Sequence, residues 1–311
     1  LSDQGIAKQF KGESSALVVD WTLDFVQRHA KHDQPLFIVA WFASPHAPHH
    51  AVESESALYE GQEGRGYFQE ITAMDREIGR LRSGLREAGI HENTLLWYSS
   101  DNGGLMTESS GGREKKGSIY EGGLRVPAII EWPAKLKPTN SEVPTFSSDM
   151  YPTLLEVAGI KHDHDHPLDG ISLMPLLEGT MTKRPQGMGF WRMPPQGQST
   201  YSDRIVKQIM EAQAAGLEIA IPERIKKDIE QFPQYPNDRF PGHGAWLDWP
   251  WKLHRIESEQ VIVFELYDLS VDNMETTDKS AAQPKRLAAM KRQLKTWQKS
   301  VIGSLNGEDY K

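Results

Sequence analysis

The stretch Thr94-Leu-Leu-Trp-Tyr-Ser-Ser-Asp-Asn-Gly-Gly104 decides the fold, because a continuous apolar run passes directly into polar residues. The apolar part has the length and composition of a strand that is buried on both faces. Before it, apolar residues recur at steps of three and four and end at a capping glycine, as in an amphipathic helix: Phe68, Ile71, Met74, Ile78, Leu81, Leu85 and Gly89. A helix followed by a buried strand predicts an α/β protein.

The rest of the N-terminal half repeats this alternation. Residues 36–42 (Leu-Phe-Ile-Val-Ala-Trp-Phe) predict another buried strand, and residues 126–132 are a third candidate strand. Residues 16–30 and 148–158 predict helices, the first with one of the serines just before it, Ser14 or Ser15, as its N-cap. We therefore expect an α/β fold in which a mostly parallel sheet is covered by helices on both faces. Functional residues in such sheets collect beyond the strand ends.

The C-terminal part follows a different pattern. Residues 181–250 are rich in Pro, Gly and Gln around one helical stretch, and they predict a loop-rich insertion. Two antiparallel strands and a closing helix are predicted after it. The expected organisation is an α/β core at 1–180, the insertion at 181–250 and a small α+β subdomain at 251–311.

Composition excludes several classes of function. The chain has 311 residues, of which 38% are hydrophobic and 25% charged, as in an ordinary globular protein. Its formal net charge of -8 argues against nucleic acid as a partner, because phosphate binding relies on clustered Lys and Arg. No apolar stretch approaches the ~20 residues that a membrane helix needs. The lack of cysteine excludes disulfides and thiolate chemistry within these residues.

Two short polar motifs follow predicted strands. Ser44-Pro-His-Ala-Pro-His-His50 holds His46 and His49 beside prolines, which fix the backbone and so the directions of the imidazoles. Asp101 and Asn102 offer carboxylate and amide oxygens side by side, which suit calcium or magnesium. Simpler readings stay open, because a loop histidine is often only hydrogen-bonded and Asn-Gly is a common turn signal. Zinc is less favoured, since no ordered acidic or thiolate partner is near the histidines.

A third motif is the glycine-rich loop at 111–127, which contains Arg113, Lys115 and Lys116. Glycines let the backbone approach an oxyanion, and lysine supplies a positive point charge. A solvated charged loop is the alternative. In the insertion, His243 and several tryptophans are candidates for a sugar pocket, although such aromatic rings more often pack within the protein.

The order and the residues of these motifs resemble those of the type I sulfatases of the alkaline phosphatase superfamily. Residues 147–159, 168–177 and 264–269 are also similar to that family, so the resemblance covers nearly the whole chain. It implies an alkaline phosphatase-like α/β fold. It also implies a calcium-dependent sulfuric ester hydrolase whose substrate is a sulfated saccharide or another sulfated small molecule, such as an aryl sulfate.

The resemblance assigns roles to single residues. The family's later Asp-Asn metal pair matches Asp101 and Asn102, the His of its Pro-His-x-Pro motif matches His46, and its Lys before Gly-[Ser/Thr] matches Lys116. Calcium and lysine would neutralise the sulfate oxygens, and His46 and Lys116 would share the protonation of the departing alkoxide. Three further residues are predicted to bind substrate: His49, Arg113 and His243.

One part of the family pattern has no counterpart in this sequence. The family's nucleophile is a formylglycine made from Cys or Ser in a C/S-x-P-x-R motif, and neither this motif nor the family's two early aspartates can be matched. We expect the nucleophile in a segment that precedes these residues, and no hydrolysis by these residues alone. The resemblance further implies a periplasmic or secreted protein. A phosphonate or phosphodiester hydrolase of the same superfamily and a catalytically inactive sulfatase-like binding protein are the alternatives.

Overall fold

A computed structural model describes residues 2–3, 6–7, 10–49, 53–55, 57–162, 166–193, 202–217, 235–258 and 261–310. The chain divides into two compact units. The first consists of Leu1–Leu96, Ile130–Lys137 and Ser202–Ile219, and the second consists of Trp97–Ile129, Pro138–Tyr201 and Ala220–Lys311. The parts of the predicted insertion at 194–201 and 218–234 lie outside the described residues.

Helices and short strands alternate in the N-terminal half. The helices are α1 (Ser14–His29), α2 (Arg65–Glu87), α3 (Glu121–Leu124), α4 (Met150–Ala158), α5 (Met174–Leu177), α6 (Ser202–Ala214) and α7 (Pro284–Leu305). The strands are β1 (Ser2–Asp3), β2 (Ile6–Ala7), β3 (Leu96–Ser99), β4 (Ala128–Glu131), β5 (Met188–Arg192), β6 (His243–Asp248), β7 (Trp251–Ser258) and β8 (Val261–Asp268). β3 and β4, both expected from the sequence, pair with each other.

The first unit is built on the packing of α1 against α2. Val19 and Val26 of α1 meet Leu81 and Leu85 of α2 in a buried apolar cluster. The spacing of three and four residues that predicted α2 places its leucines on the buried face. Gly89, just beyond the helix, has a φ of 74°, a left-handed conformation that glycine adopts without strain.

The N-cap predicted for α1 is wrong. Glu13, rather than either serine, accepts hydrogen bonds from the backbone N–H groups of Ser15 and Ala16, each at 2.8 Å. Its longer side chain reaches both free amides of the first turn. The hydroxyl of Ser14 is instead hydrogen-bonded to the hydroxyl of Ser44 at 3.0 Å, which ties the start of α1 to the His46 loop.

Residues 36–42, which the sequence predicts as a buried strand, do not form one. Phe37, Val39 and Trp41 are 69%, 56% and 85% exposed, whereas Phe42 packs against the α1–α2 cluster. A strand requires ladder hydrogen bonds to a neighbour, and no strand within the described ranges pairs with this segment. Apolar composition alone therefore does not make a strand here.

The second unit contains an antiparallel sheet in the order β5-β6-β7-β8. β5 and β6 come from the segment predicted as loops, so the predicted boundary at residue 251 falls inside one sheet. Glycines obscure the strand pattern in the sequence but fit the packing. A Cβ on Gly189 of β5 would lie 2.2 Å from the Trp297 ring of α7, so glycine leaves room for that ring.

Helix α7 covers one face of this sheet. Its Met290 and Leu294 pack with Leu253 of β7 and Leu266 of β8 in a buried cluster. Because side chains alternate along a strand, Lys252 and His254, on either side of Leu253, point to the opposite face of the sheet. None of the helices in the described ranges is long and apolar enough to cross a membrane.

Candidate functional site

The residues predicted for the site fall in both units. His46 and His49 belong to the first unit. The others belong to the second: Asp101, Asn102, Arg113, Lys116 and His243. The structure brings the Asp101-Asn102 segment and the glycine-rich loop into direct contact, and it places His243 beside a tyrosine of that loop.

The turn that follows β3 packs on the glycine-rich loop through glycines. The backbone N–H of Gly103 donates to the carbonyl oxygen of Gly123 at 2.9 Å. A Cβ on Gly103 would lie only 1.8 Å from the carbonyl oxygen of Gly122. No side chain larger than hydrogen fits at this contact, so the Asn-Gly sequence here is more than a surface turn.

The glycine-rich loop is held in shape by its own backbone. The N–H of Gly122 donates to the carbonyl of Arg113 at 2.8 Å, and the N–H of Lys116 donates to the carbonyl of Gly104 at 3.0 Å. Lys116 is partly buried, whereas the neighbouring Lys115 is exposed. The backbone that carries the Lys116 ammonium group is therefore anchored on the segment that carries the Asp-Asn pair.

Arg113 is engaged with the protein itself. Its guanidinium lies 3.9 Å above the ring centre of Tyr120, and it donates to the Tyr267 hydroxyl at 3.3 Å and to the Glu275 carbonyl at 3.1 Å. Glu265 adds an ionic contact at 3.7 Å. These contacts support the loop, and they occupy donors that the sequence-based prediction reserved for substrate.

The two loop histidines are fixed by backbone carbonyls. Nδ1 of His46 is 2.7 Å from the Ala47 carbonyl oxygen, and Nε2 of His49 is 3.0 Å from the Pro45 carbonyl oxygen. A carbonyl can only accept, so each of these nitrogens carries a proton. His46 is exposed and keeps Nε2 for exchange of a proton, while His49 is partly buried and packs edge-on against Tyr67.

His243 lies at the start of β6 and is partly buried. Burial lowers its pKa to about 4, although the carboxylates of Glu265 and Glu114 favour the charged form. The ring is therefore neutral at neutral pH. Its closest aromatic neighbour in the glycine-rich loop is Tyr120, at 5.2 Å between ring centres.

A buried polar cluster behind the loop escaped the sequence-based reasoning. Lys252 and His254 of β7 are 0% exposed, as is Glu275, and Glu121 at the start of α3 is 7% exposed. Lys252 donates to the Glu121 carboxylate at 2.7 Å and lies 3.2 Å from the Glu275 carboxylate. The available signal was two polar residues at alternate positions of an apolar strand.

Asp101 and Asn102 provide the type of ligand that calcium prefers, but fewer ligands than calcium needs. Asp101 makes no hydrogen bond or ion pair within the described ranges, and Asn102 uses its amide nitrogen on the Gly103 carbonyl at 3.4 Å, which leaves its oxygen available. Both are hard oxygen donors, but calcium takes six to eight oxygens. Across the described residues there is no group of three or more acidic or histidine side chains that could hold a metal ion.

Comparison with known proteins identifies the family of this chain. The family described as Sulfatase matches residues 2–160, which is about half of the chain. The chain belongs to the sulfatase family. The match includes the segments of this sulfatase-family chain that carry His46, Asp101, Asn102 and Lys116.

The relatives that this chain resembles are named for different substrates. The chain is 32% identical over 186 residues to the N-acetylgalactosamine-6-sulfatase of Sus scrofa, which covers 56% of this chain and 35% of the relative. It is 33% identical over 169 residues to the steryl-sulfatase of Rattus norvegicus, covering 50% and 28%. This sulfatase-family chain thus spans about a third of the length of the curated relatives that it matches.

Structural comparison shows the fold. The yidJ protein of Bacteroides fragilis, whose structure is described as that of a sulfatase candidate, superposes with a TM-score of 0.68 at 17% identity. The match covers 94% of this chain and 60% of the other. The expected α/β fold of the sulfatases is thereby confirmed.

Proposed function

We propose that this chain supplies the sulfate-binding and leaving-group side of a calcium-dependent sulfatase that hydrolyses sulfate esters. The observation that carries the proposal is the interlock of the Asp101-Asn102 turn with the loop of Lys116 through Gly103 and Gly122. It fixes a pair of oxygen donors and an ammonium group on two touching backbone segments. This pairing of a hard-cation site with a positive charge suits the anionic sulfate group of a sulfate ester.

The roles of the individual residues follow from their chemistry. Asp101 and Asn102 would contribute two of the ligands of a calcium ion, which would draw negative charge from the sulfate oxygens. Lys116 would neutralise a further oxygen and donate a hydrogen bond. His46, in its imidazolium form with the Nδ1 proton held by the Ala47 carbonyl, would give its Nε2 proton to the departing alkoxide and become neutral.

For the substrate we propose a sulfated saccharide. The support is the similarity to N-acetylgalactosamine-6-sulfatases, whose names state an amino-sugar sulfate. Sequence identity alone does not select this substrate class, because the steryl-sulfatases are similar to this chain to the same degree. The tryptophans of the insertion give no extra support, because Trp191 donates to the Pro241 carbonyl at 2.8 Å and Trp246 packs with Trp297.

The test is a hydrolysis assay on the protein that carries these residues. Sulfate, phosphate and phosphonate esters of 4-nitrophenol and a set of 6-sulfated amino sugars would be compared, with and without calcium removal by a chelator. We expect sulfate esters to be preferred and calcium removal to abolish turnover. Lys116→Ala should lower kcat about 10²- to 10³-fold, the cost of removing one group that stabilises the transition state.

Lys115→Ala is the matched control, because this neighbouring lysine is exposed. Its kinetics should equal those of the wild type within a factor of two or so. Preferential turnover of a phosphate or phosphonate ester would move the assignment to that class of hydrolase. Tight binding of sulfate esters without turnover would identify a binding protein instead.

A further inference from the structure

Three hydrogen-bonded side chains, two of them buried, lead from the interior of the second unit to the edge of the glycine-rich loop. The carboxylate of Glu275 lies 2.7 Å from Nε2 of His254, and Nδ1 of His254 lies 2.9 Å from Nε2 of His243. Glu275 and His254 are 0% exposed, whereas His243 is only partly buried. This series of hydrogen bonds therefore begins in the interior and ends at an imidazole that solvent can reach.

Other donors identify Glu275 as the acceptor at the inner end. Its second carboxylate oxygen accepts the backbone N–H of Glu121 at 2.6 Å, and the ammonium of Lys252 lies 3.2 Å from the first oxygen. An N–H group and an ammonium can only donate. Burial raises the pKa of Glu275, while Lys252 and the Glu121 N–H oppose that rise. The ammonium contact favours the carboxylate form.

Because Glu275 is the acceptor, it determines which nitrogen of each histidine carries the proton. Because Glu275 accepts, Nε2 of His254 carries a proton, and its Nδ1 has a free lone pair. Nδ1 of His254 then accepts from Nε2 of His243, so the remaining nitrogen of His243, Nδ1, is unprotonated. Burial and the nearby Lys252 ammonium hold the pKa of His254 well below its usual value, in keeping with a neutral ring.

The His243 ring lies beside the glycine-rich loop. The His243 ring contacts Tyr120 at 5.2 Å between ring centres, and the Arg113 guanidinium covers the same Tyr120 ring at 3.9 Å. Glu114, two residues before Lys116, is among the charged groups that act on His243. No donor from the described residues is hydrogen-bonded to Nδ1 of His243.

We propose that His243 Nδ1 accepts a hydrogen bond from a hydroxyl group on the alcohol part of the sulfate ester, and that His254 and Glu275 are positioning residues that keep this nitrogen unprotonated. The inference rests on the proposed function, since it concerns the substrate of that site. It predicts a preference for sulfate esters that carry a free hydroxyl near the ester, as saccharide sulfates do. An aryl sulfate without a hydroxyl group cannot donate this hydrogen bond.

The first test compares two substrates in two variants of the protein that carries these residues. We expect His243→Ala to raise KM for a 6-sulfated amino sugar about tenfold, as the loss of one good hydrogen bond would, and to change KM for 4-nitrophenyl sulfate much less. His243→Asn should restore much of the lost affinity, because its amide oxygen is an acceptor near the former Nδ1. Equal losses on both substrates would overturn the proposal.

The second test needs no turnover and uses nitrogen-15 NMR of labelled protein to read the proton position on His243. The expected state is Nε2–H with bare Nδ1 in the wild type, changing in His254→Gln, while Lys115→Ala leaves it as in the wild type. A proton on Nδ1 of His243 in the wild type would refute the inference. If the wild type hydrolyses no sulfate ester, the proposed function fails, and the NMR result still decides the tautomer.

Discussion

Arg184 and Asp149 form a two-point ion pair inside the second unit, with both guanidinium–carboxylate contacts at 2.8 Å. Asp149 is 0% exposed and Arg184 6%. The same carboxylate accepts backbone N–H groups from Phe146 at 3.0 Å and Ile171 at 2.9 Å. One side chain thus joins the entry to α4 with two later parts of the chain.

Removing this carboxylate should be costly. We expect Asp149→Ala to lower the free energy of unfolding by about 3–5 kcal/mol, because Arg184 would be left buried without its partner. Urea unfolding followed by circular dichroism measures the difference. Asp24→Ala is the control, since its pair with Arg28 is exposed and should contribute less than about 1 kcal/mol. Equal effects of the two substitutions would contradict this assignment.

The glycine contact between the two site loops gives a second prediction. Gly103→Ala should destabilise the protein by about 1–3 kcal/mol or more and weaken sulfate binding, because the new Cβ would collide with the Gly122 carbonyl. Gly79→Ala in α2 is the matched control. Nothing lies within 4 Å of its added Cβ, and it should stabilise the helix by about 0.5–1 kcal/mol. Thermal unfolding and calorimetric titration with sodium sulfate would check both.

A third prediction concerns pH. The folded-state pKa of His243 is lowered from 6.5 to about 4 by burial, so the unfolded chain binds the extra proton between these values. The stability that neutral His243 contributes is complete above about pH 6.5 and is lost as the pH falls towards 4.

The measurement is the difference in unfolding free energy between the wild type and His243→Gln at pH 7.5 and pH 5. We expect the wild type to lose more stability than the variant on acidification, because only the wild type has this group to protonate. Parallel losses in the two proteins would show that folding does not change the pKa of His243.

The exposed apolar segment 36–42 makes the fourth prediction. Phe37, Val39 and Trp41 present unpaired apolar side chains without charge or proline between them, a pattern that promotes intermolecular strand pairing. Val39→Lys should lower light scattering on mild heating. Val271→Lys, at a position that is 81% exposed but flanked by Ser270 and Asp272, should have no such effect. A similar drop in scattering for both would point to net charge as the cause.

The sequence predicted those features that repeat a local pattern. The periodic apolar residues gave α2, and continuous apolar runs gave the positions of β3 and β4. Both strands are less buried than their composition predicts, and Ile129 of β4 is 62% exposed. It failed where pairing over long distances decides the structure. Residues 36–42 have a strand's composition without a paired neighbour, and β5 and β6 are strands whose glycines make room for α7 and its Trp297.

The candidate site shows the same division. The sequence motifs indicated Asp101, Asn102 and Lys116, and the loops that carry these residues are in contact. Their roles stay predictions until tested. The cluster of Lys252, His254 and Glu275 could not be foreseen, because its members come together only through strand alternation and the return of the chain after β8.

The contact between Gly103 and Gly122 also limits how this protein can be altered. Two loops that share one carbonyl-sized space cannot be lengthened or shifted one at a time, so gradual change of the backbone there is closed to both natural variation and design. Diversity has to enter through side chains at the loop surfaces, such as Glu108, Glu114 and Lys115, all exposed. A mutant library for new substrates would vary those positions and keep the glycines constant.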